Sequence, residues 1–441
     1  MLKKFSLMAL GVMLVILAAC SDEDKKEESP PEDKEETVKA EEVVGTWNGE
    51  IEVPDGALQI IVEFNKDEEL NGTIDIPKQQ IEDFGLENIE LNGDGVKFQM
   101  PLSGTPMTFD GTVEGDTISG TFVQSGQSFP FTLEKGKGTS DPKANKDETF
   151  LSIETEMGTL TGALMTPDNQ SEFPVVLIIP GSGPTTRDGN SAQLPGENDS
   201  LLKIAESLKE EGIASLRYDK RGAGKNASVI NEADLRFDQF VDDASLWIEK
   251  LGQDDRFTSV GVIGHSQGSL VGMLSAKDSE AGAYVSLAGV GRSFDKALLD
   301  QLQRALPGEL YEESKRIVEE IKKGEVVKDI PESLQSTFRP SVQPFLRSWM
   351  EYDPAKQIQE LSIPTLIVSG THDLQVPPKE AEMLAEAQPE AELLEIEGMN
   401  HVLKDAPKDR EGNLKAYEDP EIPLAEGLMA GIVTFLKDHL N

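Results

Sequence analysis

The chain is 441 residues long, 37% hydrophobic and 28% charged, which is enough for more than one folded unit. Its 81 acidic residues against 41 basic ones give a formal charge of -40, a surface that repels nucleic acid and anionic lipid headgroups. The single cysteine, Cys20, excludes a disulfide within the chain.

Lys3 and Lys4 precede an apolar run over 7–19, the length of a signal-peptide hydrophobic region and short of the roughly 20 residues that span a bilayer. The run ends in Leu17-Ala18-Ala19-Cys20, which resembles a bacterial lipoprotein signal. That resemblance implies that 1–19 is removed, that Cys20 is lipidated, and that the lipid holds the chain to the outside of the cell membrane. Residues 20–42 are crowded with Asp, Glu and Lys around Pro30-Pro31, and predict a disordered acidic spacer.

Over 43–137 the pattern changes to short alternating runs, 58–64, 96–100, 117–123 and 128–133, punctuated by Asn92-Gly93 and Glu114-Gly115-Asp116. Alternation with glycine turns predicts a small antiparallel all-β domain, a barrel or a sandwich. Gly45-Thr46-Trp47 is similar to the opening of up-and-down lipid-binding barrels, although a Trp beside a first strand is more often a plug in the core. No catalytic set is visible in this region.

A glycine, lysine and polar stretch over 138–148 reads as a linker, and from 149 to 441 strand and helix patterns alternate. Strands are predicted over 174–179, 213–218, 260–263, 283–287, 364–368 and 392–396, with helices over 199–211, 237–251, 270–276 and 379–387. This is α/β architecture: a mostly parallel sheet with helices on both faces and catalytic groups at the strands' C-terminal ends. Between about 290 and 355 the alternation stops, and helical patterns over 294–306, 310–323 and 340–352 predict a cap inserted after a strand. Within it Phe345, Leu346, Trp349 and Met350 form a stripe, of which Phe345 and Trp349 could line an acyl pocket or simply pack the cap on the core.

Chemistry enters after the first of these strands. Pro180-Gly181-Ser182-Gly183-Pro184 lets backbone approach a ligand closely, and lacks the spacing of a phosphate-binding loop. Gly264-His265-Ser266-Gln267-Gly268 joins a strand to a helix, the sharp turn that presents a serine nucleophile. Such a serine needs a histidine base and a carboxylate. Of the four histidines, His265 adjoins the serine and His439 lies in a terminal amphipathic pattern, whereas His401 occupies a turn directly after a strand. Asp373 ends the preceding strand-loop, Ser369-Gly370-Thr371-His372-Asp373, and completes the chain order Ser, Asp, His. The amides of Gln267 and Ser182, with Gly183 next to it, are candidates for the oxyanion hole.

The elbow, the Asp373 loop and Met399-Asn400-His401 resemble the α/β-hydrolase superfamily. The segment 180–190 and Arg217-Tyr218-Asp219-Lys220-Arg221-Gly222-Ala223-Gly224 are similar to its serine aminopeptidase-like branch, which includes bacterial carboxylesterases. Over 149–441 the resemblance implies an α/β-hydrolase fold and a serine hydrolase that needs neither metal nor cofactor. It also implies that Arg187, Asp188 and Arg221 fix loops beside the site. Such esterases often carry Asp where this chain has Thr186. The expected activity is hydrolysis of small-molecule carboxylic esters, with aminoacyl amide hydrolysis second. A non-catalytic cell-envelope binding protein on a vestigial hydrolase is the third reading.

Overall fold

Alternating apolar and polar side chains with glycine turns build an antiparallel sheet in the first third of the chain. Its strands are β1 (Gly45–Val53), β2 (Gly56–Lys66), β3 (Leu70–Ile76), β4 (Ile81–Gly85), β5 (Glu87–Asn92), β6 (Gly95–Met100), β7 (Met107–Glu114), β8 (Thr117–Gln124) and β9 (Gln127–Lys135). They pair in the order β4-β3-β2-β1-β9-β8-β7-β6-β5. The two edge strands, β4 and β5, are consecutive in the chain and joined by Leu86 alone, so the sheet must roll until its edges meet. The Leu86 amide reaches the Gly72 carbonyl of β3 (2.9 Å) where they do. Of the two expected forms, the structure is the barrel. Its interior is occupied by aromatic rings: Phe98 stacks on Phe109 at 4.6 Å, and Phe131 meets Phe109 edge-on at 5.3 Å. Trp47 is fully buried among them and donates from Nε1 to the Val43 carbonyl (2.6 Å), as a core plug does. Val43 closes a helical turn, α1 (Ala40–Val43), that begins inside the stretch read from the sequence as spacer.

This computed structural model describes residues 38–54, 56–101, 106–136, 147–168, 170–192, 194 and 196–440. The signal run, Cys20 and most of the acidic spacer lie outside the described residues. Among the described residues no helix is long and apolar enough to cross a membrane.

The second sheet begins with a hairpin that the sequence reading missed, β10 (Glu148–Thr155) and β11 (Gly158–Met165), so Glu148 belongs to a strand and not to the linker. Then follow β12 (Phe173–Ile179), β13 (Ala214–Tyr218), β14 (Phe257–His265), β15 (Ala281–Leu287), β16 (Thr365–Gly370) and β17 (Glu392–Ile396). The order is β10-β11-β13-β12-β14-β15-β16-β17, with β12 to β17 parallel. In β12 the two-residue period sends Val175, Leu177 and Ile179 to one face and Val176 and Ile178 to the other. Helices α3 (Phe237–Gly252) and α4 (Gln267–Lys277) cover the first face. On the second lie α2 (Ser200–Glu210) and α12 (Leu428–His439). In α2 the buried Leu201, Ile204, Ala205 and Leu208 recur at three and four residues, one stripe of a helix.

The cap comprises α5 (Phe294–Ala305), α6 (Gly308–Lys322), α7 (Gln335–Phe338), α8 (Gln343–Met350) and α9 (Pro354–Ile358). It has its own apolar cluster, including Ile317, Val318, Ile321, Leu334 and Phe338. Two further helices, α10 (Lys379–Ala387) and α11 (Arg410–Lys415), flank β17 in sequence.

Barrel and hydrolase sheet belong to one compact unit, Thr37–Asn441. Strand β4 touches the loop after β13: the Gly224 amide donates to the Gln80 carbonyl (2.9 Å), and the Glu82 amide donates to the Gly224 carbonyl (3.2 Å). Ala227 of that loop is buried in the barrel's own apolar cluster. Arg187 spans the junction, pairing with Asp219 (2.8 Å) and with Glu82 of the barrel (3.1 Å).

Candidate active site

After β12 the chain goes to β13 on one side, and β14 lies on the other, so the loops following β12 and β14 diverge. The crevice between them, outside the strands' C-terminal ends, is where open parallel sheets bind ligands. The loop after β12 carries Gly181 and Ser182, and β14 runs into Ser266.

Ser266 sits between β14 and α4 at φ 55°, ψ -117°, a conformation that costs an ordinary residue about 1–3 kcal/mol. The flanking glycines make the turn possible by absence of side chain. A Cβ at Gly264 would lie 2.1 Å from the Gly268 carbonyl oxygen, and one at Gly268 would lie 2.4 Å from that of Ile179. The Ser266 amide donates to the Leu287 carbonyl (2.8 Å), which ties the elbow to the end of β15.

His401 Nε2 is 3.1 Å from Ser266 Oγ, and His401 Nδ1 is 2.7 Å from Asp373 Oδ2. His401 and Asp373 are almost fully buried, at 6% and 5% exposure, so their mutual interaction is little screened by water. The other oxygen of Asp373 accepts from the Gln375 and Val376 amides, each at 2.8 Å. These bonds fix the carboxylate and leave one oxygen for the imidazole. The His401 turn is pinned by its neighbour: the Asn400 amide donates to the Lys404 carbonyl (2.9 Å), and Asn400 Oδ1 accepts from the Lys404 amide (3.1 Å).

His265, which adjoins the serine in the chain, has a positioning contact. Its Nε2 lies 2.8 Å from the His401 carbonyl oxygen, joining the elbow to the base's own turn. Desolvation first, then the neighbouring His401, push the His265 ring down to about 4, so it is neutral near pH 7 and donates that bond as an imidazole N–H.

Gln267 opens α4, and its amide therefore has no acceptor within the helix. Ser182 is exposed in the loop facing it. A residue the sequence reading passed over joins the two: the buried Lys220 donates from Nζ to the Gly181 carbonyl (2.9 Å) and to Gln267 Oε1. Lys220 was visible in the 217–224 segment, and its place just after an apolar strand, at the sheet's C-terminal edge, was the signal that could have found it.

The flanking charges pair within the loops. Asp188 pairs with Arg217, which also pairs with Glu148 of the missed hairpin. Arg221 grips Asp243 of α3 through two bonds, at 2.7 and 2.6 Å. Thr186 donates its amide to the Asn190 carbonyl (2.9 Å), a contact within the turn.

Trp349 stacks on Phe294, with ring centroids 3.5 Å apart, and lies parallel to Phe237 at 5.7 Å, so its ring is held within an aromatic cluster. Phe345 packs against Phe240 at 5.6 Å. With Trp349 held in this cluster, Trp349→Ala is expected to destabilise the protein by about 2–3 kcal/mol, less than a fully buried Trp because it is only half-buried. Its preference between short and long acyl esters should stay as in wild type. Thermal unfolding and a chain-length series measured on the same preparation check both; a shifted preference with unchanged stability would mean the ring faces substrate.

A doubly covered, mostly parallel sheet with a serine on the elbow after β14, a histidine after β17 and an aspartate after β16 is the architecture of the α/β-hydrolase fold. Residues 198–405 match the family model "Serine aminopeptidase, S33". Over 263 residues the chain is 27% identical to esterase EstD of Thermotoga maritima, a match that covers 58% of this chain and 61% of that protein. The chain thus spans 61% of that relative's length. Similar solved structures include Est1E from Butyrivibrio proteoclasticus (19% identity, 66% of this chain and 98% of that one, TM-score 0.42). Another is the Pyrococcus furiosus esterase Pf2001 (18% identity, 69% and 96%, TM-score 0.44).

Proposed function

We propose that the protein hydrolyses small-molecule carboxylic esters through an acyl-enzyme on Ser266. The observation that carries the reading is the hydrogen-bonded line Ser266, His401, Asp373 at the switch point of the sheet. As Ser266 Oγ bonds to the acyl carbon, its proton passes to His401 Nε2 and the carbonyl electron pair moves onto oxygen. The amides of Gln267 and Ser182, with the positive end of α4 behind the first, stabilise that oxyanion. Collapse breaks the bond to the leaving oxygen, which takes the proton from His401. Water then repeats the sequence and releases the acid. Asp373 stays ionised throughout and stabilises the imidazolium.

The family model's name favours a second reading, amide hydrolysis of aminoacyl substrates. An aminopeptidase must hold the substrate's α-ammonium with carboxylates shielded from water. The cap is rich in acids on α6, where Glu309, Glu312 and Glu319 are exposed. Glu312 pairs with Lys315, and Glu313 and Glu320 pair with Arg316. This solvated, self-paired face supports the ester reading. Matched esters and amides with free and acetylated amines test it: ester turnover should be indifferent to the amine, and aminoacyl amides should be poor substrates. A large preference for the free amine in both series would assign the protein to the aminopeptidases. Serine-reactive fluorophosphonate labelling of Ser266 separates both from a purely binding role.

Attachment to the outside of the cell membrane through a lipid on Cys20 is part of the same proposal, and rests on the 17–20 motif and the apolar run before it.

A further inference from the structure

Lys220 follows β13 and is 3% exposed. Its ammonium has three neutral partners: the Gly181 carbonyl at 2.9 Å, Gln267 Oε1, and the Phe240 ring, whose centroid is 4.2 Å away. The nearby acid that acts on it, Asp243, is already held by Arg221. A cation buried without a carboxylate of its own is costly, so its position calls for a use.

Both oxygen partners belong to the segments that frame the nucleophile. The carbonyl of Gly181 and the N–H of Ser182 share one trans peptide, and therefore point in opposite directions. A donor that draws the Gly181 oxygen to one side turns the Ser182 N–H to the other and polarises it as a donor. That peptide stands at the elbow: a Cβ on Gly181 would lie 3.4 Å from the Ser266 Cβ. The second bond, to the Gln267 side chain, anchors the residue whose own amide opens α4. Gln267 Nε2 is buried with no protein partner among the described residues, so the Lys220 bond is what orients this side chain.

We propose that Lys220 is a positioning residue of the oxyanion hole: one ammonium sets the Gly181–Ser182 peptide and the Gln267 side chain together, and places positive charge behind both N–H donors. The proposal rests on the acyl-transfer reading for what occupies the hole. It predicts a pH signature. Burial draws the Lys220 ammonium down to about 7, with Asp243 opposing the fall. The group is charged below that pH and neutral above it, so turnover should decline as pH rises through about 7. The sign is opposite to the rise that a general base gives as it loses its proton. The charged and titratable groups around Lys220 are Asp243 on α3, paired to Arg221; Asp219 beside it in sequence, paired to Arg187; and His265 next to Gly181, neutral in this range.

The test uses the full chain, with 4-nitrophenyl butyrate turnover and the rate of fluorophosphonate labelling, whose phosphoryl oxygen occupies the same hole. Lys220→Met should lower kcat about 10- to 100-fold below pH 7, less than outright loss of an oxyanion donor, with KM changed less than about threefold. Labelling should slow by a similar factor, and the descending limb near pH 7 should disappear. Lys220→Gln, which keeps a neutral donor for the Gly181 carbonyl, should regain part of the rate and still lack the limb. A folded variant with kcat within about threefold of wild type, or a limb that persists in the Met variant, overturns the proposal. If Lys220→Met does not fold, the Gln variant decides by the same two readouts. If wild type cleaves no ester, the ester reading fails while the labelling rates still decide the role of Lys220.

Discussion

Ser266→Ala is expected to lower kcat by about 10⁶-fold while leaving the fold intact, because one hydroxyl carries the nucleophile and its removal leaves almost no cavity. Asp373→Asn should cost about 10⁴-fold, since an amide neither fixes the His401 tautomer nor stabilises the imidazolium. The elbow geometry adds a signature that a mere loss of activity lacks. Ser266 has φ 55°, and alanine inherits that strain, whereas glycine adopts such backbone readily. Relief of about 1–3 kcal/mol, less roughly 0.5–1 for the freer unfolded chain, should make Ser266→Gly inactive yet more stable by about 1 kcal/mol. Thermal melts of the Ala and Gly variants beside single-turnover kinetics check this; near-wild-type kcat in Ser266→Ala would remove the nucleophile assignment altogether.

Arg187→Met should be the most destabilising of the substitutions at the junction between barrel and hydrolase sheet. The Arg187 and Asp219 side chains are 6% and 1% exposed, and removing one partner of a buried pair typically costs about 3–5 kcal/mol. Asp219 keeps two amide donors, Arg187 N at 2.8 Å and Lys225 N at 3.2 Å, which argues for the lower end of that range. Glu82→Gln should cost much less. Its side chain is 32% exposed, burial already raises its pKa, and an amide still accepts from the guanidinium. Because Arg187 lies in the loop that begins at Gly181, its loss should also lower kcat. Unfolding midpoints of the two variants, compared with kcat in a range where both remain folded, separate the effects. Equal destabilisation by the two would mean that the barrel contact, and not the Asp219 pair, holds the loop.

Much of the site was legible because its chemistry leaves local marks. The glycines at 264 and 268 betray a turn that tolerates no side chain, and a four-histidine chain leaves few bases to choose from. The inner parallel strands, β12, β14, β15 and β16 above all, announce themselves as apolar runs because both faces of the sheet are covered there. The hairpin β10 and β11 did not, since its polar, half-exposed pattern, Glu148 to Thr155 above all, resembles the linker before it. The barrel was distinguishable from a sandwich only once the pairing order put β4 and β5 at opposite edges with a single residue between them. In the same way nothing local marks Trp349 as stacked within an aromatic cluster, because Phe237 and Phe294 reach it from distant parts of the chain.

The sequence by itself determined which residues make up the candidate acyl-transfer site, their order along the chain, and the alternation that makes a doubly covered sheet, since all three depend on short-range pattern and side-chain chemistry. Only the tertiary structure decided what holds those residues to their task. Lys220 meets Gly181 and Gln267 across separations of 39 and 47 residues, and His265 meets His401 across 136. Arg187 meets Glu82 of the barrel across 105. Such contacts exist because sheet packing brings strand ends together, and a hydrogen bond between distant residues leaves no periodicity behind it in the sequence.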